Sequence, residues 1–296
     1  METPTQPGVM EPGATDVPVV RLNHLHDFDP QSGRGALRYQ ADLRSNIPLE
    51  ALLLNNQSAV LVVALHGAMS AARTQLPRFE WLRTLSATEY SSLYFSDATL
   101  RLDQDLKLSW YMGWREVDLF PLMARWVLKA KSAVGASQVV ILGSSGGGYA
   151  ALQLATYIPG SLAIPFNPQT RLNKYEVLGS RKVQGLFVDR VMPHLAPKGF
   201  AALEQTEDWT MELGDRASVI RRYLNQVDNL VLYAQNLNDE HHYTSHYLPF
   251  MRAIEGSPNV ARVSSHLYEG PESHGPPRPK VFHEVLTRGL EMLSDN

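Results

Sequence analysis

One serine, one carboxylate and one histidine stand where they could carry out nucleophilic acyl chemistry. The serine lies in Val139-Val140-Ile141-Leu142-Gly143-Ser144-Ser145-Gly146-Gly147-Gly148-Tyr149-Ala150-Ala151-Leu152. An aliphatic run there ends in small residues, and a helix-like segment follows. The run reads as a buried strand. Gly143 to Gly147 fits G-x-S-x-G with Ser145 at its centre, the form of a sharp strand-to-helix turn that lifts a hydroxyl above the sheet. The glycines there are expected to permit positive φ and close backbone approach. A serine hydroxyl needs a base to take its proton and a carboxylate to orient that base. Asp239 and His274 follow Ser145 in that order, each beyond a strand-like segment.

Each position has rivals. Ser144 adjoins Ser145, but the motif's spacing selects Ser145. Glu240 competes with Asp239, and His241, His242 and His246 compete with His274. On a helix His242 and His246 would share a face, as a two-histidine metal site would require. They lack a close third ligand of known geometry, so no metal is assigned. A phosphate-binding reading of the glycines lacks its markers: no lysine follows them, and the spacing is not G-x-G-x-x-G.

Other segments could complete the site. Val60 to Leu65 reads as a buried strand that ends in His66-Gly67-Ala68-Met69. Such a loop can offer a backbone N–H to a developing oxyanion. Ala68 is the expected donor, or Met69 if the loop is shifted, with Gly146 as the second. His66, Trp110, Tyr111 and Asn167 lie where they could line a substrate pocket. Asp97, at the end of another strand, is expected to cap a helix.

Composition narrows the function classes. The 296 residues carry 27 basic and 30 acidic side chains, a net charge of -3, which argues against a large nucleic-acid-binding face. There is no cysteine, which excludes disulfides, thiolate metal sites and a cysteine nucleophile. No stretch reaches the ~18 apolar residues of a membrane helix. Residues 1–18 are rich in Pro, Gly, Thr and acidic residues and read as a disordered leader, not a signal peptide. A cytoplasmic location is expected.

The remaining pattern alternates strands and helices. Tyr39 to Leu54 suggests a short strand and a loop, and Ser91 to Ser96 a further strand. Phe120 to Val134 suggests a helix, Leu162 to Phe166 and Asn229 to Ala234 strands, Val260 to Tyr268 the last strand, and Val281 to Leu293 a closing helix. This predicts an α/β architecture, a mostly parallel central sheet with helices on both faces. Residues 19–296 read as one domain, with 170–228 as a helical insertion or small lid.

With these residues in view, the chain resembles the α/β-hydrolase superfamily over roughly residues 50 to 293. Gly143 to Gly147 looks like that family's elbow, His66-Gly67 like its oxyanion loop, and Asp239 and His274 like its remaining triad members. A short carboxylate at this turn is usual in the family, which favours Asp239 over Glu240. A weaker likeness, carried by Gly146 to Leu152 and Asn167-Pro168-Gln169, is to members linked to glycan or natural-product acylation. The resemblance implies a serine hydrolase that cleaves an ester or related acyl bond without a cofactor. One alternative is an acyltransferase that passes the acyl group to a sugar or natural-product acceptor. Another is an inactive binding protein of the same fold. The expected partner is a small acyl ester or acyl donor, with neither nucleic acid nor membrane. A homodimer is compatible with the sequence.

Overall fold

The computed structural model describes residues 16–69, 75–204 and 207–295. Among them, β1 (Val19–Leu22), β2 (Gly35–Asp42), β3 (Pro48–Asn55), β4 (Val60–Leu65), β5 (Ser91–Ser96), β6 (Gln138–Ser144), β7 (Leu162–Phe166), β8 (Leu230–Asn236) and β9 (Val263–Tyr268) form one sheet. Its spatial order is β1-β2-β3-β5-β4-β6-β7-β8-β9. From β5 to β9 every neighbouring pair is parallel, whereas β3 runs antiparallel to both β2 and β5.

The parallel strands are continuous apolar runs because both faces are covered. Their residues alternate between two cores. Leu61, Val63, Leu65, Val139 and Ile141 belong to one, with residues of α2 (Leu119–Val134) and α3 (Gly146–Ala155). Val62, Ala64, Val140 and Leu142 belong to the other, with α1 (Leu82–Ser86) and the closing helix Pro279–Ser294. Local chemistry sets the ends of α2. The Asp118 carboxylate accepts from the Phe120 N–H, and Gly135 stops the helix at φ 73°.

Chain order and spatial order diverge at β4, which lies between β5 and β6. A crevice at the carboxyl ends of the strands is expected at such a switch. Register makes the site local: Leu65 pairs with Gly143, so His66-Gly67 and Ser144-Ser145 leave the sheet side by side.

Three expectations need adjustment. Tyr39 to Leu54 is not a short strand and a loop but most of a hairpin, β2 and β3, in which Tyr39 pairs with Ala51. Buried Glu50 breaks the apolar run of β3, and Arg38 and Arg101 balance its charge there. Val260–Arg262 is a 3-10 turn, so the last strand begins at Val263. The expected leader lies outside the described residues up to residue 15. Its last residue, Pro18, already accepts a hydrogen bond from the Arg38 N–H at 2.9 Å.

The segment between β7 and β8 carries α4 (Lys182–Val191), the 3-10 run Met211–Ala217 and the short helix Val219–Tyr223. It docks on α3. Tyr149 Oη donates to the Arg216 carbonyl at 2.6 Å, and Gln153 Nε2 donates to the Asp215 carbonyl at 2.8 Å. The Arg216 guanidinium donates to the carbonyls of Met112, Trp114 and Val117, which joins the insertion to the loop before α2. The architecture is thus a mostly parallel sheet flanked by helices, with a helical insertion. No helix among the described residues is long and apolar enough to cross a membrane.

Candidate active site

Ser145 occupies the turn between β6 and α3 with φ 57° and ψ -119°, a strained conformation for a residue with a side chain. Its N–H donates to the Phe166 carbonyl at 2.9 Å, and its carbonyl accepts from the Tyr149 N–H at 3.0 Å. The positive φ expected of the elbow glycines falls on the serine instead. The glycines serve close approach. A Cβ on Gly143 would lie 2.2 Å from the Gly147 carbonyl, and one on Gly147 would lie 2.2 Å from the Leu65 carbonyl oxygen. The Ser144 hydroxyl is buried without a hydrogen-bond partner.

Asp239, just beyond β8, is buried and serves two imidazoles. His274 Nδ1 lies 2.6 Å from its Oδ2, and His242 Nδ1 lies 3.0 Å from its Oδ1. Burial alone would raise the Asp239 pKa. The hydrogen bonds from His242 and His274 outweigh it and hold the carboxyl well below the usual carboxylate range. Glu240, the rival acid, is exposed. The two imidazoles stack at 3.8 Å with their planes 7° apart.

The His274 loop is held by side-chain amides. Asn236 Nδ2 donates to the Pro271 carbonyl at 2.7 Å, and Asn238 Nδ2 donates to the Gly270 carbonyl at 2.7 Å. Asn167, expected in a pocket wall, does similar work. Its Nδ2 donates to Tyr268 Oη at 2.9 Å and to the Gly275 carbonyl at 3.2 Å, and its Oδ1 accepts from the Asn236 N–H.

The β4 loop is braced from behind. The Asp97 N–H donates to His66 Nε2 at 3.0 Å, so that nitrogen is unprotonated and Nδ1–H donates to the Gly67 carbonyl at 2.8 Å. In a trans peptide the N–H points opposite to the C=O, so the Ala68 N–H is turned away from the imidazole. A Cβ on Gly67 would lie 3.5 Å from the Ser145 Cβ, which places this loop against the elbow. The Met69 N–H already donates to the Lys107 carbonyl at 2.7 Å. His66 is therefore a buried brace and not a pocket wall.

Asp97 caps the turn that follows β5, as expected, and also grips the aromatic loop. Its Oδ2 accepts from Ser109 Oγ at 2.7 Å and from the Tyr111 N–H at 2.8 Å. Trp110 and Tyr111 both have positive φ there. Tyr111 Oη accepts from the His66 N–H and donates to the Phe95 carbonyl, so it too is a brace. Trp110 is nearer the chemistry. A Cβ on Gly146 would meet Leu108 Cδ1 at 2.3 Å and Trp110 Cδ1 at 3.3 Å. Phe187 and Tyr175 of the insertion pack edge-on against the Trp110 ring.

Two further polar residues meet at the site: Gln169, which had no catalytic role from sequence, and His242, named there only as a rival base or metal ligand. Gln169 Nε2 lies 3.0 Å from Ser145 Oγ and 2.8 Å from His242 Nε2. Gln169 follows β7 closely, as strand-end residues around such a crevice do, but its type carries no signal of its own. Among the described residues, the group of metal-type donors that the fold gathers is Asp239, His242 and His274, not His241, His242 and His246. As they stand, both Nδ1 atoms are spent on the carboxylate. His246 Nδ1 accepts from the Thr170 N–H.

Several of these imidazoles are neutral in the fold. Burial lowers the His66 pKa to about 3, with Arg78 adding to the effect, and lowers His242 to about 4 against the opposing pull of Asp239. Burial also takes His246 well below its ordinary value. In the unfolded chain each would protonate near pH 6.5. Protonation of these rings in the unfolded chain therefore erodes stability as the pH falls below about 6.5, down to about 4 for His242 and about 3 for His66. Urea unfolding at pH 7, 6 and 5 should show this loss, and a flat profile would contradict the neutral burial of these rings.

No protein-family model matches the sequence, and no curated protein sequence does. Solved structures do. The capsule O-acetyltransferase of Neisseria meningitidis serogroup A superposes with a TM-score of 0.56 at 12% identity, over 86% of this chain and 96% of that one. A chain of the glycosylation-associated Gap123 complex from Streptococcus agalactiae gives 0.55 at 15% identity, over 88% of this chain and 47% of that one. Prolyl oligopeptidase B from Galerina marginata gives 0.53 at 14% identity, over 86% of this chain and 36% of that one. The present chain thus spans less than half of the latter two. At these identities the likeness establishes the fold alone, an α/β-hydrolase-like one.

Proposed function

We propose that this protein is a serine acyl-transfer enzyme that works through an acyl-Ser145 intermediate. The observation that carries the reading is the cluster at the strand ends: a strained serine whose Oγ is held by Gln169 and is linked through Gln169 and His242 to a buried carboxylate that also holds His274 through Nδ1. His274 takes the Ser145 proton on Nε2 while Oγ attacks the acyl carbonyl. The Ala68 and Gly146 N–H groups receive the oxyanion. The bond to the leaving group breaks, and the leaving group departs with the proton from His274. In the second half an acceptor O–H gives its proton to His274 and attacks the acyl carbon. The Oγ–C bond then breaks and the proton returns to Oγ. Asp239 orients His274 and balances its charge throughout.

The acceptor is a hydroxyl of a sugar or related product rather than water. The end-to-end likeness to the capsule O-acetyltransferase supports this, while the peptidase is matched over about a third of its length. That acetyltransferase has a form solved with CoA, which makes an acyl-CoA thioester the first donor to test. Ser145 is only 7% exposed, with Leu108 and Trp110 packed at Gly146, which favours a short acyl group. Hydrolysis is the second reading, since both share the first half-reaction.

Partitioning decides between them. The enzyme is loaded with acetyl-CoA or a chromogenic acetyl ester, and the Ser145 peptide is followed by mass spectrometry with and without oligosaccharide acceptors. An acetyl-enzyme that is stable in buffer and discharges onto the acceptor is the expected result. Fast release as free acetate whatever the acceptor makes the protein a hydrolase. No acetylation of Ser145 from either donor overturns the reading.

A further inference from the structure

His242 stacks on the proposed base, shares its carboxylate and reaches the nucleophile through one amide, yet the mechanism above gives it no part. We propose that Gln169 and His242 form a second relay from Asp239 to Ser145, in which Gln169 donates to the nucleophile oxygen and His242 fixes both the amide and the carboxylate. This rests on the acyl-serine reading and deepens it.

The proton positions follow from donor chemistry. Trp110 Nε1–H can only donate, and it lies 3.2 Å from Gln169 Oε1. The amide oxygen is therefore on the Trp110 side, and the NH2 group faces Ser145 Oγ at 3.0 Å and His242 Nε2 at 2.8 Å. Each amide hydrogen has one acceptor. His242 Nε2 accepts, so its ring carries its proton on Nδ1 and donates to Asp239 Oδ1. The burial that keeps His242 neutral agrees with this tautomer. Trp110, Gln169, His242 and Asp239 thus form one directed chain with no freedom to flip.

That chain has two consequences for Ser145. The amide hydrogen occupies one lone pair of Oγ and leaves the hydroxyl hydrogen free for the base. It also stabilises negative charge on Oγ, both as the proton leaves during attack and as Oγ is expelled in the second half. For His274, the parallel face of a neutral ring at 3.8 Å confines its plane. The shared carboxylate divides its accepting capacity between two N–H groups, one on each imidazole. The groups facing His242 are Tyr175, His241, His246, His274 and Asp239, and Asp239 is the acid among them.

The test uses the full chain, a chromogenic acetyl ester and a fluorophosphonate probe whose site is read by mass spectrometry. Gln169→Met removes the donor at similar length, and His242→Phe keeps a stacked ring but removes both hydrogen bonds. Each should lower kcat/KM and the rate of Ser145 labelling by about 10- to 100-fold, with KM little changed. The double variant should lose no more than about twice what the worse single variant loses, because the two residues act in one chain. In His242→Phe, Asp239 serves His274 alone. The loss in His242→Phe should fall on kcat rather than on KM, as in Gln169→Met, because neither side chain is required to bind the ester. If His242→Phe does not fold, His242→Asn replaces it; it keeps a donor for Asp239 but loses the acceptor for Gln169, and should slow labelling. Multiplicative losses in the double variant, or wild-type labelling rates in both singles, overturn the relay. A wild-type protein that takes no label at Ser145 overturns the acyl-serine reading, and the relay with it.

Discussion

Replacement of Ser145 by alanine should lower kcat on an acyl ester by roughly ten-thousand-fold or more while the protein remains folded. The expectation combines chemistry and local geometry. Nothing else at the turn can take its place: Ser144 Oγ is buried in the sheet without a partner, and the chain has no cysteine. The fold should survive because the backbone bonds that hold the turn, to Phe166 and Tyr149, do not involve the hydroxyl. The loss is confined to one acceptor for the Gln169 amide, on the order of 1 kcal/mol for an unsatisfied buried donor. Ser145→Gly should be as inactive but slightly more stable than Ser145→Ala, because glycine relieves the φ of 57°. Steady-state kinetics and thermal melts of the three proteins read both effects. Residual activity within a hundredfold of wild type would place the nucleophile elsewhere. A collapse of the melting transition in Ser145→Ala would mean that the hydroxyl has a structural role.

How much of this was legible in the sequence varied with how local the cause was. β5 and β7 coincide with the predicted segments, because an apolar run bounded by polar or small residues is decided within its own length. The β2–β3 hairpin was less visible, since Glu50 is tolerated inside β3 only through Arg38 and Arg101, and Arg101 is distant in the chain. At the site, the residue types of a serine, a carboxylate and a histidine could be read in order, and the structure places Asp239 against His274. What could not be read was the use of the polar residues between them. His66, Tyr111 and Asn167 look like pocket residues in sequence, yet each spends hydrogen bonds on nearby backbone. Gln169 and His242 matter through their mutual distance, which exists only once β7, β8 and the helical turn at Glu240–His242 are packed together.

Asp239→Asn should cost about a thousand- to ten-thousand-fold in kcat/KM, and the reason lies in proton positions rather than in lost packing. The carboxylate accepts from two imidazoles at once, on Oδ2 from His274 and on Oδ1 from His242, and it also accepts from the His242 N–H at 3.4 Å. An amide of the same shape offers one oxygen and one NH2 group. If the oxygen faces His274, the NH2 meets two donors at His242. His242 must then move its proton to Nε2, where it faces the Gln169 amide, and the conflict passes on to Ser145. If the NH2 faces His274 instead, that ring must accept at Nδ1 and hold its proton at Nε2, so it cannot receive the serine proton. In the first arrangement the imidazolium formed during attack has also lost its counter-charge. Glu240→Gln is the control: the side chain is exposed, and activity should stay within about twofold of wild type. Kinetics on the two variants, with circular dichroism to check that both are folded, separate the outcomes. Asp239→Asn within tenfold of wild type would remove Asp239 from the triad, and a large loss in Glu240→Gln would move the acid to Glu240.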